Sequence, residues 1–433
     1  MREMKDSGIE WIGELPIGWE TRKIKYVATL NGRIGWQGLT SSEYCDDGAY
    51  LITGINFDNG QIDWSTCVHV PMERWAEAPQ IQIQNGDLLI TKDGTVGKVA
   101  IVSNMPSETS LNSGVLLIRT VDSCYKKYLF WILQSEIFWK WFNTINAGNS
   151  TIIHLYQYDF CNFSFPFPQY SLQCNIANYL DRKCSQIDAI IARQQEAIEK
   201  LKAYKLSIIT EAVTKGLNPD VPMKDSGVDW IGAIPEHWET ASVSRVATVV
   251  RGASPRPAGD PRYFNGQDVP WITVAEVTKD DGKYITATES YLTEEGAKYS
   301  RLVEEGTLLL SNSGATLGVP KVTLITGCIN DGSVAFFNLK VEQMYLLYIF
   351  KSRTLELRKQ MQGYGQPNLN TTIIKSIAIP VPHPEEQKSI CKYLDKRCKA
   401  VDDAIKIKEK VVDRLAKYKK SLIYEVVTGK KEV

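Results

Sequence analysis

The chain has 433 residues, and its 50 Lys/Arg against 50 Asp/Glu give a formal charge of zero, so bulk electrostatics select no class of partner. This length exceeds one ordinary core and predicts two or more domains. No apolar run approaches the ~20 residues of a membrane span, and Arg2 and Lys5 lead into no apolar export segment. The nine cysteines form no C-x-x-C pair, which predicts reduced thiols and a cytoplasmic protein, and four scattered histidines argue against a catalytic zinc site.

The first element is a phrase, "MKDSGIEWIGELPIGWET", from Met4 to Thr21. Lys-Asp-Ser-Gly is turn chemistry, and Trp11 and Trp19 are large apolar groups suited to packing. A body of mixed α and β character follows. Short runs such as "DLLI", "VAIV" and "VLLIR" read as strands separated by Gly, Asn and Asp turns. An aromatic stretch over Tyr125–Phe142 reads as helix. After the Pro-x-Pro of "FPFP" (Phe165–Pro168), residues from Ile176 to Gly216 lack internal Pro or Gly and space apolar residues by fours and threes. Leu180, Cys184, Ile187, Ile191, Gln194, Ile198 and Leu201 form the a/d stripe of a coiled coil.

The chain then repeats itself. "MKDSGVDWIGAIPEHWET" (Met223–Thr240) restates the opening phrase, with Trp230 and Trp238 in the tryptophan positions. "EGTLLLSNSGATLGVPKV" (Glu305–Val322) answers "NGDLLITKDGTVGKVAIV" (Asn85–Val102). "IPVP" precedes a second helical stripe of Leu394, Cys398, Val401, Ile405, Lys408, Val412 and Leu415. A duplication of this kind sets the architecture. The expected fold is α+β: two globular mixed domains (1–175 and 217–389) joined by long helices (176–216 and 390–433). Each helix leaves one body, so the best partner for each stripe is the other running antiparallel, with pseudo-twofold symmetry. Gln194 and Lys408 would then face each other, either as a polar pair fixing register or as a wetted flaw in the seam.

Catalytic motifs are not found. "KDGTVGKV" (Lys92–Val99) resembles a phosphate-binding loop, but Lys92 stands at the first glycine position and Val99 replaces the Ser/Thr. No G-x-G-x-x-G follows a strand, and no G-x-S-x-G elbow exists. "PDVPMK" (Pro219–Lys224) has a weak likeness to a nuclease motif but belongs to the linker and the repeated phrase. The chain therefore reads as a recognition or scaffold protein rather than an enzyme.

The phrase of form K-D-S-G-x-x-W-I-G-x-x-P-x-x-W, the "GDLLITKDGTVGKVAIV" element and "IPVPHPEEQKSICKYLDKR" (Ile379–Arg397) together resemble the specificity subunit of type I restriction–modification systems. The likeness covers nearly the whole chain, twice over. The first copy departs where "FPFPQYSLQCNIANYLDRK" has Ser-Leu-Gln in place of Glu-Glu-Gln. The resemblance implies that each body reads one half of a bipartite double-stranded DNA site. It implies that the helices set the gap and dock two methyltransferase subunits, and that motor–nuclease subunits join them. The chain itself would bind no cofactor; S-adenosylmethionine, ATP and Mg would belong to those partners. No membrane is involved in such a system. The alternative is a scaffold that presents two protein-binding domains without DNA.

Base readout needs donors such as Arg, Lys, Asn and Gln on loops braced by a sheet. In the first body the candidates are Arg33, Trp36, Gln37 and Thr40, followed by Lys92, Thr95 and Lys98. In the second they are Arg251, Ser254, Arg256 and Arg262, then Ser311, Asn312, Ser313 and Thr316, then Gln366, Asn368 and Asn370. These loops differ between copies while their flanks agree. Residues Ile176–Gly216 carry a net charge of +2 and Ile390–Val433 of +6, so the remainder is net −8 and the presumed readers are acidic on balance. Phosphate contacts drive affinity, so tight binding is expected to need the methyltransferase subunits.

Overall fold

A computed structural model describes residues 3–35, 38–147, 154–314, 316–360 and 369–433. The chain forms two compact units, Met1–Gln195 with Lys410–Val433, and Glu196–Glu409. The divisions fall inside two long helices, Tyr170–Lys215 and Pro384–Val427, so each unit holds part of both.

The first unit is built on an antiparallel sheet of four strands in the order Val99–Ile101, Leu88–Thr91, Val115–Thr120, Ala28–Gly32. Its central strands are apolar on both faces because both faces are covered. Leu88 and Ile90 join the core that contains the helices, while Leu89 joins a second core over the opposite face. Beside it, Thr109–Leu111 pairs parallel with Ala49–Ile52, which pairs antiparallel with Val68–Val70. The second unit repeats the plan. Thr248–Arg251, Ser333–Phe337, Leu308–Ser311, Pro320–Thr323 and Tyr284–Ile285 form its main sheet, and Leu308 and Leu310 face one core while Leu309 faces another. A four-stranded sheet lies beside it and contains the parallel pairing of Trp271 with Cys328.

The aromatic stretch read as one helix differs between copies. In the first unit it breaks into Lys126–Gln134 and Glu136–Ile145, because Ser135 turns extended and its hydroxyl caps the second piece at the Ile137 N–H. In the second unit Gln343–Gln360 is continuous.

Both long helices begin upstream of the expected Ile176 and Ile390. A buried glutamine completes each first turn. Gln173 donates to Pro168 O at 2.9 Å and accepts from the Tyr125 N–H at 2.8 Å. Gln387 donates to Pro382 O at 2.8 Å and accepts from the Glu342 N–H at 2.7 Å. The Ser-Leu-Gln departure of the first copy therefore keeps the residue that matters here. What it lacks is Glu386, which in the second unit accepts from His237 Nε2 at 3.0 Å.

Within each unit the two helices run antiparallel along the expected stripe. In the first, Leu180, Cys184 and Ile187 share a core with Leu422, Ile423 and Val426, with Ile191 and Leu415 packed at its margin. Lys419 pairs with Asp188 at 2.7 Å. In the second, Ile198 and Leu201 meet Val401 and Ile405, Leu394 joins Ile208 and Ala212, and Lys205 pairs with Asp402 at 2.6 Å. Gln194, Lys408 and Val412 are half-buried on their helices.

Each helix ends inside a core. Val213 and Val427 are fully buried, so their carbonyls need donors. Tyr345 Oη lies 3.1 Å from both Val213 O and Pro380 O, and Tyr128 Oη donates to Pro166 O at 2.7 Å with Val427 O at 3.5 Å. Burial drives both phenol pKa values well upward, which keeps each hydroxyl a donor. Beyond the helix end, Gly216 (φ +77°) lets the chain turn under Trp238 and Pro235, and Gly429 (φ +71°) does the same under Trp19 and Pro16. Trp19 and Trp238 are buried, while Trp11 and Trp230 donate their indole N–H to Ser164 O at 2.9 Å and Ala378 O at 3.1 Å. The repeated phrase is a cap over a buried helix end.

Tyr345→Phe leaves these buried carbonyls short of a donor and is expected to cost about 1–3 kcal/mol in urea unfolding. Tyr26→Phe, at an exposed hydroxyl, should stay within about 0.5 kcal/mol.

Candidate nucleic-acid interface

One hydrogen-bond lattice recurs at the same end of both main sheets. In the first unit the hairpin between Leu88–Thr91 and Val99–Ile101 is closed by Gly97 N–H to Thr91 O and Thr91 N–H to Lys98 O, each 2.9 Å. The Thr91 hydroxyl reaches inward to Thr95 O and accepts from the Lys98 N–H at 2.9 Å. Lys92 is tied on both sides, its N–H to Gly114 O at 2.8 Å and its carbonyl to the Leu155 N–H at 2.9 Å. In the second unit Gly318, Ser311 and Val319 make the same closure, and the Ser311 hydroxyl donates to Thr316 O at 2.9 Å. Asn312 N–H binds Gly332 O at 2.9 Å, and the Leu369 N–H binds Asn312 O at 2.7 Å. Three segments of each unit, distant in sequence, are thus fastened into one loop platform.

Some expected contact residues belong to the platform's underside. Arg33 is 6 % exposed, and its guanidinium is spent on Leu111 O at 2.8 Å and Ser110 Oγ at 2.9 Å. Burial first, and the nearby Arg74 second, pull its pKa below the ordinary value. Ser311 and Asn312 are fully buried and brace the second loop from within. These three are interior supports, because a long or polar side chain that starts at a strand end can satisfy backbone groups more cheaply than it can reach out.

Other candidates are on the surface. Thr95 and Lys98 are exposed and Lys92 is half-exposed at the first hairpin, and Thr40 is exposed with its hydroxyl on Glu43. In the second unit Thr316 is exposed, Ser313 is half-buried, and Asn370 caps the helix Thr371–Ser376 by accepting the Ile373 N–H at 2.9 Å. Trp36, Gln37, Gln366 and Asn368 lie outside the described residues.

The remaining candidates are brought together by carboxylates that sequence reasoning passed over. Ser254 donates to Asp331 Oδ1 at 2.6 Å, Arg256 Nη2 lies 3.4 Å from Asp331 Oδ2, and Arg251 Nε donates to Asp331 O at 2.8 Å. Arg262 pairs with Asp260 at 2.7 Å, and that hydrogen bond holds the carboxylate pKa below its usual range. In the first unit His154 Nδ1 meets Asp93 Oδ1 at 2.6 Å. A signal was available: "LNSG" (Leu111–Gly114) and "INDG" (Ile329–Gly332) are the same turn in the two copies, and Asp331 replaces Ser113. Among the described residues no cluster of His, Cys, Asp or Glu could hold a metal, and no helix is long and apolar enough to cross a membrane.

Fold and loops define a duplicated recognition protein, in which one scaffold presents two different sets of polar side chains. A family model described as the type I restriction modification DNA specificity domain matches residues 16–200 and again 235–414. The putative type I restriction enzyme MjaX specificity subunit of Methanocaldococcus jannaschii is 26% identical over 431 residues, spanning 97% of this chain and 95% of the relative. The EcoKI specificity subunit of Escherichia coli is 21% identical over 436 residues, spanning 96% and 90%. Among solved structures, a chain from work on complex assembly and conformational transition of the type I R-M system superposes with a TM-score of 0.73 at 18% identity, covering 95% of this chain and 98% of that one. The HsdS subunit from Thermoanaerobacter tengcongensis gives 0.51 at 17% identity, covering 96% and 98%. This chain belongs to the type I restriction–modification specificity family and is the DNA sequence-specificity subunit of such a system.

Arg33→Ala strands a buried carbonyl and a hydroxyl and is expected to lower unfolding stability by about 1–3 kcal/mol. Lys98→Ala, on the exposed loop, should remain within about 0.5 kcal/mol in the same denaturant titration.

Proposed function

We propose that each unit reads one half of a bipartite site in double-stranded DNA, and that the long helices maintain the gap and dock two methyltransferase subunits. The observation that carries this reading is the repetition of one backbone lattice beneath unlike side chains: Lys92, Asp93, Thr95 and Lys98 in one copy, Ser313 and Thr316 in the other. A protein that must recognise two different sequences with one duplicated scaffold needs this division between constant support and variable donors. The chain supplies readout and geometry and carries out no chemistry. Methyl transfer from S-adenosylmethionine belongs to the modification subunits, and ATP- and Mg-dependent translocation and cleavage belong to the motor–nuclease subunits.

The helices suit a docking role for a physical reason. Outside the seam they carry exposed lysines and acids in i,i+4 pairs, such as Lys417 with Asp413 at 2.8 Å and Lys200 with Glu196 at 2.6 Å. Such pairs contribute little to stability but keep a straight, charged face open to a partner.

The chain co-purified with a methyltransferase partner and supplied with S-adenosylmethionine is expected to methylate adenines within a split motif of fixed gap. A continuous motif, or none, on genome-wide mapping would overturn this reading. The purified chain alone is expected to bind its site weakly at physiological salt, with affinity rising when methyltransferase is added. Nanomolar binding by the isolated chain in a fluorescence-anisotropy titration would show that the partner's positive surface is not needed.

A further inference from the structure

Asp331, half-exposed on the second unit's platform, is held at its carbonyl, its N–H and its carboxylate. Its carbonyl receives Arg251 Nε at 2.8 Å, its N–H points to Ser254 Oγ at 3.4 Å, and its carboxylate takes the Ser254 hydroxyl at 2.6 Å. The strand that carries these partners is itself locked: Gly252 N–H binds Ser333 O at 2.9 Å, Ala253 N–H binds Ile329 O at 3.2 Å, and a Cβ on Gly252 would fall 2.1 Å from Asn330 O. Neither side of the cluster can swing away. Against the free edge of this fixed carboxylate lies Arg256, whose side chain is 71% exposed and whose Nη2 is 3.4 Å from Oδ2. The rest of its guanidinium makes no further bond among the described residues.

The charge of this arrangement decides what it suits. A phosphate contact wants an uncompensated cation, and Lys serves it as well as Arg. Here Arg256 stands beside an anion that would face the same phosphate, so that pair is neutral and gains little from the backbone's field, whereas Arg251, spent through Nε on the Asp331 carbonyl, keeps its charge and leaves the cluster at net +1. A guanidinium with one N–H directed at a carboxylate and its remaining N–H groups bonded to no described residue is a two-pronged donor. The base edge that offers two adjacent acceptors is that of guanine, through O6 and N7. We infer that Arg256 reads a guanine in the half-site of the second unit, and that Asp331 is the positioning residue that presents it. This rests on the proposal that the second unit reads a half-site.

The test maps methylation motifs of the co-purified complex, with S-adenosylmethionine as donor, for the unaltered chain and for Arg256→Ala, Arg256→Lys and Asp331→Ala. All three variants are expected to lose about ten- to a hundredfold of the discrimination at a single G·C position. Every other position, including the whole of the other half-site, should be unchanged and serves as an internal control on assembly. Unchanged motifs in all three variants, relaxation at an A·T position, or relaxation in both halves would overturn the inference. So would a loss that is uniform over all sites with Arg256→Ala and restored with Arg256→Lys, the signature of a phosphate contact. Should Arg256→Ala fail to assemble, Arg256→Lys carries the same test at an exposed position. If the unaltered complex methylates no split motif, the reading of the second unit falls first and the inference with it. If the motif is split and Arg256 variants leave it intact, the inference alone falls.

Discussion

The architecture depends on how a long helix is allowed to end inside a hydrophobic core. The last carbonyls of any helix have no partner within it, and in water they cost nothing. Here the last turns place Val213 and Thr214, and again Val427 and Thr428, in the interior, where unpaired carbonyls are expensive. The chain meets the demand with a buried tyrosine hydroxyl and a glycine at positive φ that turns the backbone beneath a Pro-x-x-Trp lid, while the Thr214 and Thr428 hydroxyls satisfy themselves by donating back to Thr210 O and Tyr424 O. In the second unit the lid follows the helix directly in sequence. In the first it comes from the other end of the chain. A repeat of eighteen residues is thus explained by a repeated physical problem, and substituting its Trp or Pro residues would disturb helix ends rather than loops.

Fixing the helix end also fixes the reader. The same tyrosines that serve the terminal carbonyls hold the Pro-x-Pro strand, and one turn further along their helices sit Trp131 and Tyr348. Trp131 Nε1 donates to Asp181 at 2.8 Å beside Lys127, and Tyr348 Oη donates to Asp395 at 2.6 Å beside Lys283. A carboxylate on the long helix is gripped in each unit by one cation and one aromatic donor of the body. Such ion pairs are half-exposed and individually weak; their value is angular, because two donors from different positions permit one orientation of body on helix.

Much of this was legible in sequence because it is periodic or duplicated. The a/d stripe predicted which helix faces pair, and its apolar members Leu180, Cys184, Ile187, Ile191, Ile198 and Leu201, with Leu394, Cys398, Val401, Ile405 and Leu415, pack in the cores of the two units. The tryptophans of the opening phrase could be assigned to packing because they recur with a proline at fixed spacing. Burial of individual polar residues was not legible. Arg33 has the same composition of neighbours as an exposed loop arginine, and only the parallel pairing of Thr109–Leu111 brings Ser110 and the Leu111 carbonyl beneath it. The helix break at Ser135 was hidden as well, since serine is tolerated in helices and caps them equally well. Asp331 was passed over because single-residue reasoning sought donors, whereas the platform is organised by acceptors.

Acceptors on the platform also fit the acidic balance of the chain outside the two long helices. If arginines on the loops were free, the readers would be attracted to any phosphate backbone, and sequence discrimination would compete with a large unspecific term. Pairing Arg256 with Asp331 and Arg262 with Asp260 offsets two of these charges and leaves N–H donors on both guanidiniums, while Arg251, on a backbone carbonyl, keeps its charge. On the reading proposed above, affinity and discrimination are carried by different parts of the assembly, the first by positive surface on the partner subunits and the second by preoriented pairs on the platforms. Such a division lets the loop chemistry change without altering how strongly the complex holds DNA. On the same reading a duplicated scaffold can keep its lattice constant while its exposed residues diverge: the lattice is under the constraints of burial, and the proposed contact pairs above it are not.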